Sequence, residues 1–276
     1  MNRKAVYGIL LAVLLPVLGY IYVKKYSDRD VVMPHHYLPD SVTNVTRNGK
    51  QYEDTAWHRV PDFNLTNQLG QQISWKDMKG KIVVANFFFT HCPNICPNMT
   101  RGMKLLQDVI KSPEKVGDRD PNFVQFLSFT IDPARDSVTQ LKKWNDLFQI
   151  NPQEWWLLTG DRKKIYDLSI NDLKMMAMDG GITDSNFVHT DMFVLIDTNR
   201  YVRGYYHVLL PGPNHAIDTA ALFRLSQDVV LLSLEKDPKR KFLLADKLVL
   251  IITIFIITAV AVFILLVLLK RDKRKI

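Results

Sequence analysis

The sequence predicts an α/β domain held between two membrane-spanning helices. Uncharged apolar segments lie near both ends of the 276-residue chain, and between them apolar, strand-like runs alternate with amphipathic, helix-like runs. The formal net charge of +8 comes from the ends. Residues 1–27 hold four basic and no acidic side chains, and residues 270–276 hold five basic and one acidic. The nearly neutral middle gives no reason to expect a nucleic-acid partner.

The two apolar segments are predicted to cross a membrane. Residues 248–269 carry no charge, and as a helix they would extend roughly 33 Å, enough for a hydrocarbon core. Residues 5–23 are also uncharged and lack the small-residue cleavage site of a signal peptide, so we predict an uncleaved anchor, with a cleaved signal as the alternative. The flanking basic residues place both ends in the cytoplasm. In a bacterium the domain between them would then lie on the periplasmic side of the inner membrane.

The expected organisation has six parts. They are an N-terminal anchor (1–25), a polar tether with a hairpin as an option (26–59), the α/β domain (60–236), a juxtamembrane linker (237–247), the second span (248–269) and a basic cytoplasmic tail (270–276).

The elements of the α/β domain follow from residue periodicity. We first predict a hairpin turning near Gly70, a short helical turn, a buried strand over 82–89 and a helix over 97–110. A strand ending at Asp132, a helix capped by Ser137, a strand in WWLLTGD and a helix in RKKIYDLSIND follow. The domain is predicted to end with a hairpin turning at 198–199 and a closing helix with apolar Leu222, Leu225, Val229 and Leu232. This order is typical of a thioredoxin-like domain, in which helices flank a central mixed sheet.

Cys92 and Cys96 are the only cysteines, and they lie at a strand-to-helix junction in THCPNICP. They could form a disulfide, a redox couple or part of a metal site. A helix N-terminus is expected to lower the thiol pKa, and the spacing brings both sulfurs to one side. Dithiol oxidoreductases of this fold have two residues between their cysteines, whereas here there are three. The longer loop leaves room for an ion, and thiolates select Cu(I) or zinc.

A copper site of this kind commonly takes an imidazole as its third ligand. His189 stands at the start of the apolar strand in NFVHTDMFVLID, where oxidoreductases of this fold place a cis-proline. The chain has no proline between Pro152 and Pro211. We therefore predict Cys92, Cys96 and His189 as metal ligands.

Five other histidines and a methionine cluster are expected to have other roles. Adjacent histidines in a tether, such as His35 and His36, seldom bind metal. A histidine beside a cysteine, such as His91, should point away from it. Methionine more often fills gaps in a core than binds copper. These residues are His35, His36, His91, His207, His215, Met175, Met176 and Met178.

Four segments resemble the SCO/SenC family of copper-binding assembly proteins. They are GKIVVANFFFTHCPNICP, FTIDPARDS, WWLLTG and HTDMFVLID, spread over residues 61–206. The resemblance implies a thioredoxin fold, copper bound by Cys92, Cys96 and His189, and a role in metallating the CuA centre of cytochrome c oxidase subunit II. The family usually has one N-terminal anchor, so a second span is a departure.

Other positions also bear on this resemblance. Asn94 and Val188 replace residues that are often aspartate in the family, and we expect these changes to tune ligand basicity and site charge. Asp132, Arg135 and Asp136 match a family loop beside the site. They could equally cap the following helix and form an ion pair.

Three functions follow as alternatives. The first, which we favour, is a copper metallochaperone, a binding protein rather than an enzyme. The second is a thiol–disulfide reductase that keeps the CuA cysteines reduced and does not need His189. The third is a structural disulfide on a tethered binding domain.

Overall fold

The computed structural model describes residues 33–47, 49–111, 121–175 and 190–235. The predicted spans at 5–23 and 248–269, the linker and the basic tail lie outside these residues. Within the described residues, no helix has the length and apolar character needed to cross a membrane.

An N-terminal hairpin precedes the main sheet. Strands β1 (Pro39–Arg47) and β2 (Lys50–Trp57) pair antiparallel, from Pro39 opposite Trp57 to Arg47 opposite Lys50. The hairpin that the sequence left as an option is therefore formed. The chain before it lies along the edge of the main sheet, where the amide of Tyr37 donates to the carbonyl of Val202 at 3.1 Å. The described part of the expected tether thus belongs to the same unit as the domain.

The central sheet is mixed and has seven strands, in the order β4-β3-β7-β6-β5-β8-β9. The strands are β3 (Leu65–Asn67), β4 (Gln72–Ile73), β5 (Ile82–Phe88), β6 (Val124–Thr130), β7 (Trp155–Thr159), β8 (Met192–Ile196) and β9 (Val202–His207). Strands β5, β6 and β7 are mutually parallel, and β8 joins β5 antiparallel. Every residue of β5 and β6 is buried, as their continuous apolar sequences predict.

Helices cover both faces of this sheet, as predicted. They are α1 (Ile95–Lys111), α2 (Val138–Phe148), α3 (Arg162–Asp167, continued by a π turn over Leu168–Asp172) and α4 (Thr219–Glu235), with short 3₁₀ turns at Trp75–Met78 and Pro121–Phe123. Alternate residues of β5 enter two apolar clusters, one with α1, α2 and α4 and the other with α3. The cysteines lie in the first cluster.

Two helix ends bear on the cysteine region. Ser137 caps α2 as predicted, with its hydroxyl accepting from the amide of Gln140 at 3.4 Å. Helix α1 begins at Ile95, earlier than predicted. Pro97 lies in its first turn, where a missing N–H leaves no intrahelical bond unmade. The helix therefore starts between the two cysteines.

Candidate metal centre

Cys92 and Cys96 are brought together by the turn that joins β5 to α1. Cys96 has no exposed surface and Cys92 is 7% exposed. Neither cysteine is part of a disulfide. The amide of Cys96 donates to the sulfur of Cys92 at 3.4 Å, and the two side chains are hydrogen-bonded to each other. The expectation that both sulfurs face one side is confirmed.

The prediction that the helix N-terminus lowers the thiol pKa is wrong for Cys96, whose pKa is raised. Burial is the largest cause that raises the pKa of this thiol, followed by the hydrogen bond with Cys92 and the charge of Cys92. A hydrogen bond with the backbone of Phe89 lowers the pKa but does not offset burial, and the charge of Asp136 raises it further. Burial therefore favours the protonated thiol of Cys96, and a metal that binds this sulfur must displace its proton.

A buried carboxylate fixes the cysteine turn to the sheet. Asp136 has no exposed surface and accepts a hydrogen bond from the amide of Thr90 at 3.0 Å. The hydroxyls of Thr90 and Thr130 also donate to it. Thr130 ends β6 directly beside Phe88, the last residue of β5. Asp136 thus connects the loop that carries the cysteines to the neighbouring strand end.

The other residues of the predicted family loop have local roles. Arg135 pairs with Asp132, so the expected ion pair is confirmed. The amide of Asp132 donates to the hydroxyl of Thr130 at 3.0 Å, which extends the hydrogen-bond network. The contact of Asp136 with Thr90 was not predicted. The match of this loop to the family was the only signal in the sequence that it lies near the cysteines.

The residues that form this arrangement match a known protein family. The SCO1/SenC family model matches residues 52–223, which include the cysteine turn and the Asp136 loop. The chain belongs to the SCO1/SenC family. The Bacillus subtilis SCO1 protein homolog is 31% identical over 149 residues, covering 54% of this chain and 73% of the relative.

Solved structures of Sco proteins resemble this one. The structure of BsSco, described as a member of the Sco family of cytochrome c oxidase assembly proteins with a disulfide switch, has a TM-score of 0.53 at 27% identity, covering 66% of this chain and 98% of that one. The predicted thioredoxin-like fold is thereby confirmed. The structure of Arabidopsis thaliana ScoI was solved with copper bound. It is 24% identical to this chain with a TM-score of 0.48, covering 63% of this chain and 98% of that one.

His189 of this Sco protein lies outside the described residues, as do Val188, Met176 and Met178. Thr190, the next residue after His189, is described. It lines an open groove of about 450 Å³ together with Ile95, which lies between the cysteines. Thr190 therefore lines the same groove as a residue of the cysteine turn. Among the described residues, no three His, Cys, Asp or Glu side chains are arranged to hold a metal. The third ligand remains a prediction.

The described histidines of this Sco protein have other contacts. The Nδ1 atom of His91 lies 3.1 Å from the Thr90 hydroxyl. His36 stacks on Trp57, with ring centroids 5.1 Å apart. His207 and His215 line the same groove as Ile95, which their late positions in the sequence did not suggest.

The methionine cluster and the loop between the cysteines complete the description. Met175 is buried in the cluster on the face of α3, as expected for core packing. Asn94, between the cysteines, is exposed.

Proposed function

We propose that this Sco protein is a copper metallochaperone that binds copper through Cys92, Cys96 and His189 and delivers it to the CuA site of cytochrome c oxidase subunit II. The observation that carries the proposal is the buried pair of contacting thiols in a C-x-x-x-C turn. Membership of a family whose structures are described as those of cytochrome c oxidase assembly proteins supports the choice of acceptor.

The thiols provide the chemistry that this cargo requires. Copper(I) prefers soft sulfur ligands, and two thiolates with one imidazole make a three-coordinate site. Binding would release the proton of Cys96, which burial holds on the metal-free thiol. Delivery would proceed by ligand exchange, in which the thiolates of the acceptor replace those of Cys92 and Cys96 one at a time.

We further propose that the protein is held in a membrane by helices at 5–23 and 248–269. The support is the uncharged apolar length of both segments and the basic residues that flank them. This arrangement would place the described domain, between the tether and the 237–247 linker, on the periplasmic side of a bacterial inner membrane. It would keep the copper site beside a membrane-bound oxidase.

The test compares His189→Ala with His207→Ala in the full-length chain in detergent. Both replacements remove one imidazole, and His207 lines the groove beside the cysteine turn. Copper binding is followed by chelator competition and by the sulfur-to-copper charge-transfer band. We expect one copper per chain, a loss of affinity of at least about tenfold in His189→Ala, since a ligand is lost, and a change of less than about twofold in His207→Ala. Equal affinities in all three proteins would refute His189 as the third ligand.

A thiol–disulfide reductase is the second candidate, and the direct contact between the thiols favours it. The pair would give two electrons and two protons to a disulfide of the acceptor and become a disulfide itself. This function needs both cysteines but not His189. If His189→Ala retained full reducing activity toward an oxidised CuA domain, and the wild-type chain bound no copper, the reductase would replace the chaperone.

A further inference from the structure

The carboxylate of Asp136 is a fixed negative charge in the wall of the cysteine turn. It has no exposed surface, and three donors from Thr90 and Thr130 hold it in place. Thr90 lies two residues before Cys92. Because the same hydrogen bonds hold the cysteine loop, the carboxylate cannot turn toward solvent while the loop keeps its conformation.

This charge acts on the sulfur of Cys96. After Cys92, Asp136 is the charged group that raises the pKa of the Cys96 thiol. The neighbouring guanidinium of Arg135 is engaged by Asp132. Charges interact more strongly in a buried region than in water, so a carboxylate at this position affects any ion that the sulfurs bind.

The two oxidation states of copper respond differently to such a charge. Copper(I) with two thiolates forms a centre with one net negative charge, whereas copper(II) with the same ligands forms a neutral centre. A neutral imidazole changes neither sum. A nearby carboxylate therefore repels the copper(I) centre and leaves the copper(II) centre almost unaffected.

We propose that Asp136 sets the oxidation-state preference of the site by disfavouring copper(I) relative to copper(II) at Cys92 and Cys96. The inference rests on the proposed copper binding and adds a residue that does not bind the metal. Asp136 acts as a positioning residue through Thr90 and as a fixed charge through space. A lower preference for copper(I) would also make that form easier to release to an acceptor.

The test uses Asp136→Asn in the full-length chain, with Thr130→Val as the matched control. Asparagine keeps an oxygen for the Thr90 amide but removes the charge. Valine removes one hydrogen bond to Asp136 and keeps the charge. Dissociation constants for copper(I) and copper(II) are measured separately with chelators specific for each state, in the same buffer and at the same pH for every variant.

We expect Asp136→Asn to shift the ratio of the two constants toward copper(I) by roughly tenfold, and Thr130→Val to leave it within about twofold. No shift in Asp136→Asn, or an equal shift in Thr130→Val, would overturn the inference while leaving the copper proposal intact. A wild-type chain that binds neither form of copper would refute both. Asp136→Ser, a smaller charge-free variant, provides the same measurement if Asp136→Asn does not fold.

A metal-free measurement separates charge from geometry. The protonated dithiol and the disulfide of Cys92 and Cys96 are both uncharged, so removing a nearby charge should leave their equilibrium with glutathione at about pH 7 within roughly twofold. A change in this equilibrium as large as the change in copper preference would show that Asp136→Asn distorts the turn, and would overturn the electrostatic account.

Discussion

Replacing Arg203 with methionine is predicted to destabilise the domain strongly. The guanidinium is 4% exposed, and its Nη1 atom lies 3.0 Å from Oδ2 of Asp197, a carboxylate that is 7% exposed. Its Nε and Nη2 atoms donate to the carbonyl oxygen of Pro34 at 2.9 and 2.7 Å. Arg203 therefore neutralises a buried carboxylate and holds the N-terminal chain against β9.

The expected magnitude follows from the groups left behind. Methionine refills much of the apolar volume, so the main loss is the uncompensated charge of Asp197, which costs about 3–5 kcal/mol in a buried pair. We therefore expect the free energy of unfolding, measured by urea denaturation with circular dichroism, to fall by about 4 kcal/mol. In a domain of this size that loss corresponds to a fall in Tm of roughly 8–16 °C.

The double variant Arg203→Met with Asp197→Asn tests the cause. Asparagine removes the stranded charge but keeps an oxygen for the amides of Asn199 and Tyr201, which donate to Asp197 at 2.8 and 3.0 Å. The double variant should regain at least about 1 kcal/mol relative to Arg203→Met alone. A single-variant loss below about 1 kcal/mol, the usual value of an exposed pair, would refute the reasoning.

Three further predictions concern stability. Gln68 is 1% exposed, and its side-chain amide forms hydrogen bonds of 2.9 Å with two backbone groups of β7. Gln68→Ala should therefore lower the free energy of unfolding in urea by about 2–4 kcal/mol. An unchanged stability would contradict the role of Gln68 in holding β7. A Cβ at Gly204 would lie 2.6 Å from the hydroxyl oxygen of Tyr206 and 2.7 and 2.9 Å from two carbons of its ring, so Gly204→Ala should lower the free energy of unfolding by about 1–3 kcal/mol. In a Tyr206→Ala background, where the ring is absent, Gly204→Ala should cost little, and an undiminished loss would contradict the clash. Burial raises the pKa of Tyr205 to about 12, above its usual value of 10.0. The Tyr205 hydroxyl therefore keeps its proton to a higher pH in the folded state than in the unfolded state. Its contribution to the free energy of unfolding is complete below about pH 10 and is lost as the pH rises toward 12. A urea series across this range should show a shallower decline in Tyr205→Phe, and identical slopes would contradict the assignment.

The elements nearest the site were predictable because local signals agreed with tertiary packing. The unbroken apolar run of β5 predicted a strand buried on both faces, and Ser137 marked the start of α2. The N-terminal hairpin was less predictable because strands β1 and β2 are polar and mostly exposed. Their pairing gives little of the apolar alternation by which strands are recognised in a sequence.

The environment of the dithiol could be predicted only in part. The spacing of Cys92 and Cys96 predicted that their sulfurs meet, but not that burial of Cys96 would outweigh the helix dipole in setting its pKa. Burial depends on α4 and other distant elements that pack around the turn. The contact of Asp136 with Thr90 likewise joins two loops separated by all of α1 and β6, a distance over which local sequence carries no register information.

The order of these contacts along the chain has a consequence for biosynthesis. The sulfur atoms, the loop that carries them and the carboxylate that holds this loop are encoded between the start of β5 and the start of α2, whereas His189 follows much later. A nascent chain leaving the ribosome therefore exposes two thiols before the expected imidazole has been translated. Chains synthesised at about 5–20 residues per second would spend several seconds in this state, during which they depend on their surroundings to keep the thiols from oxidation or premature metal capture.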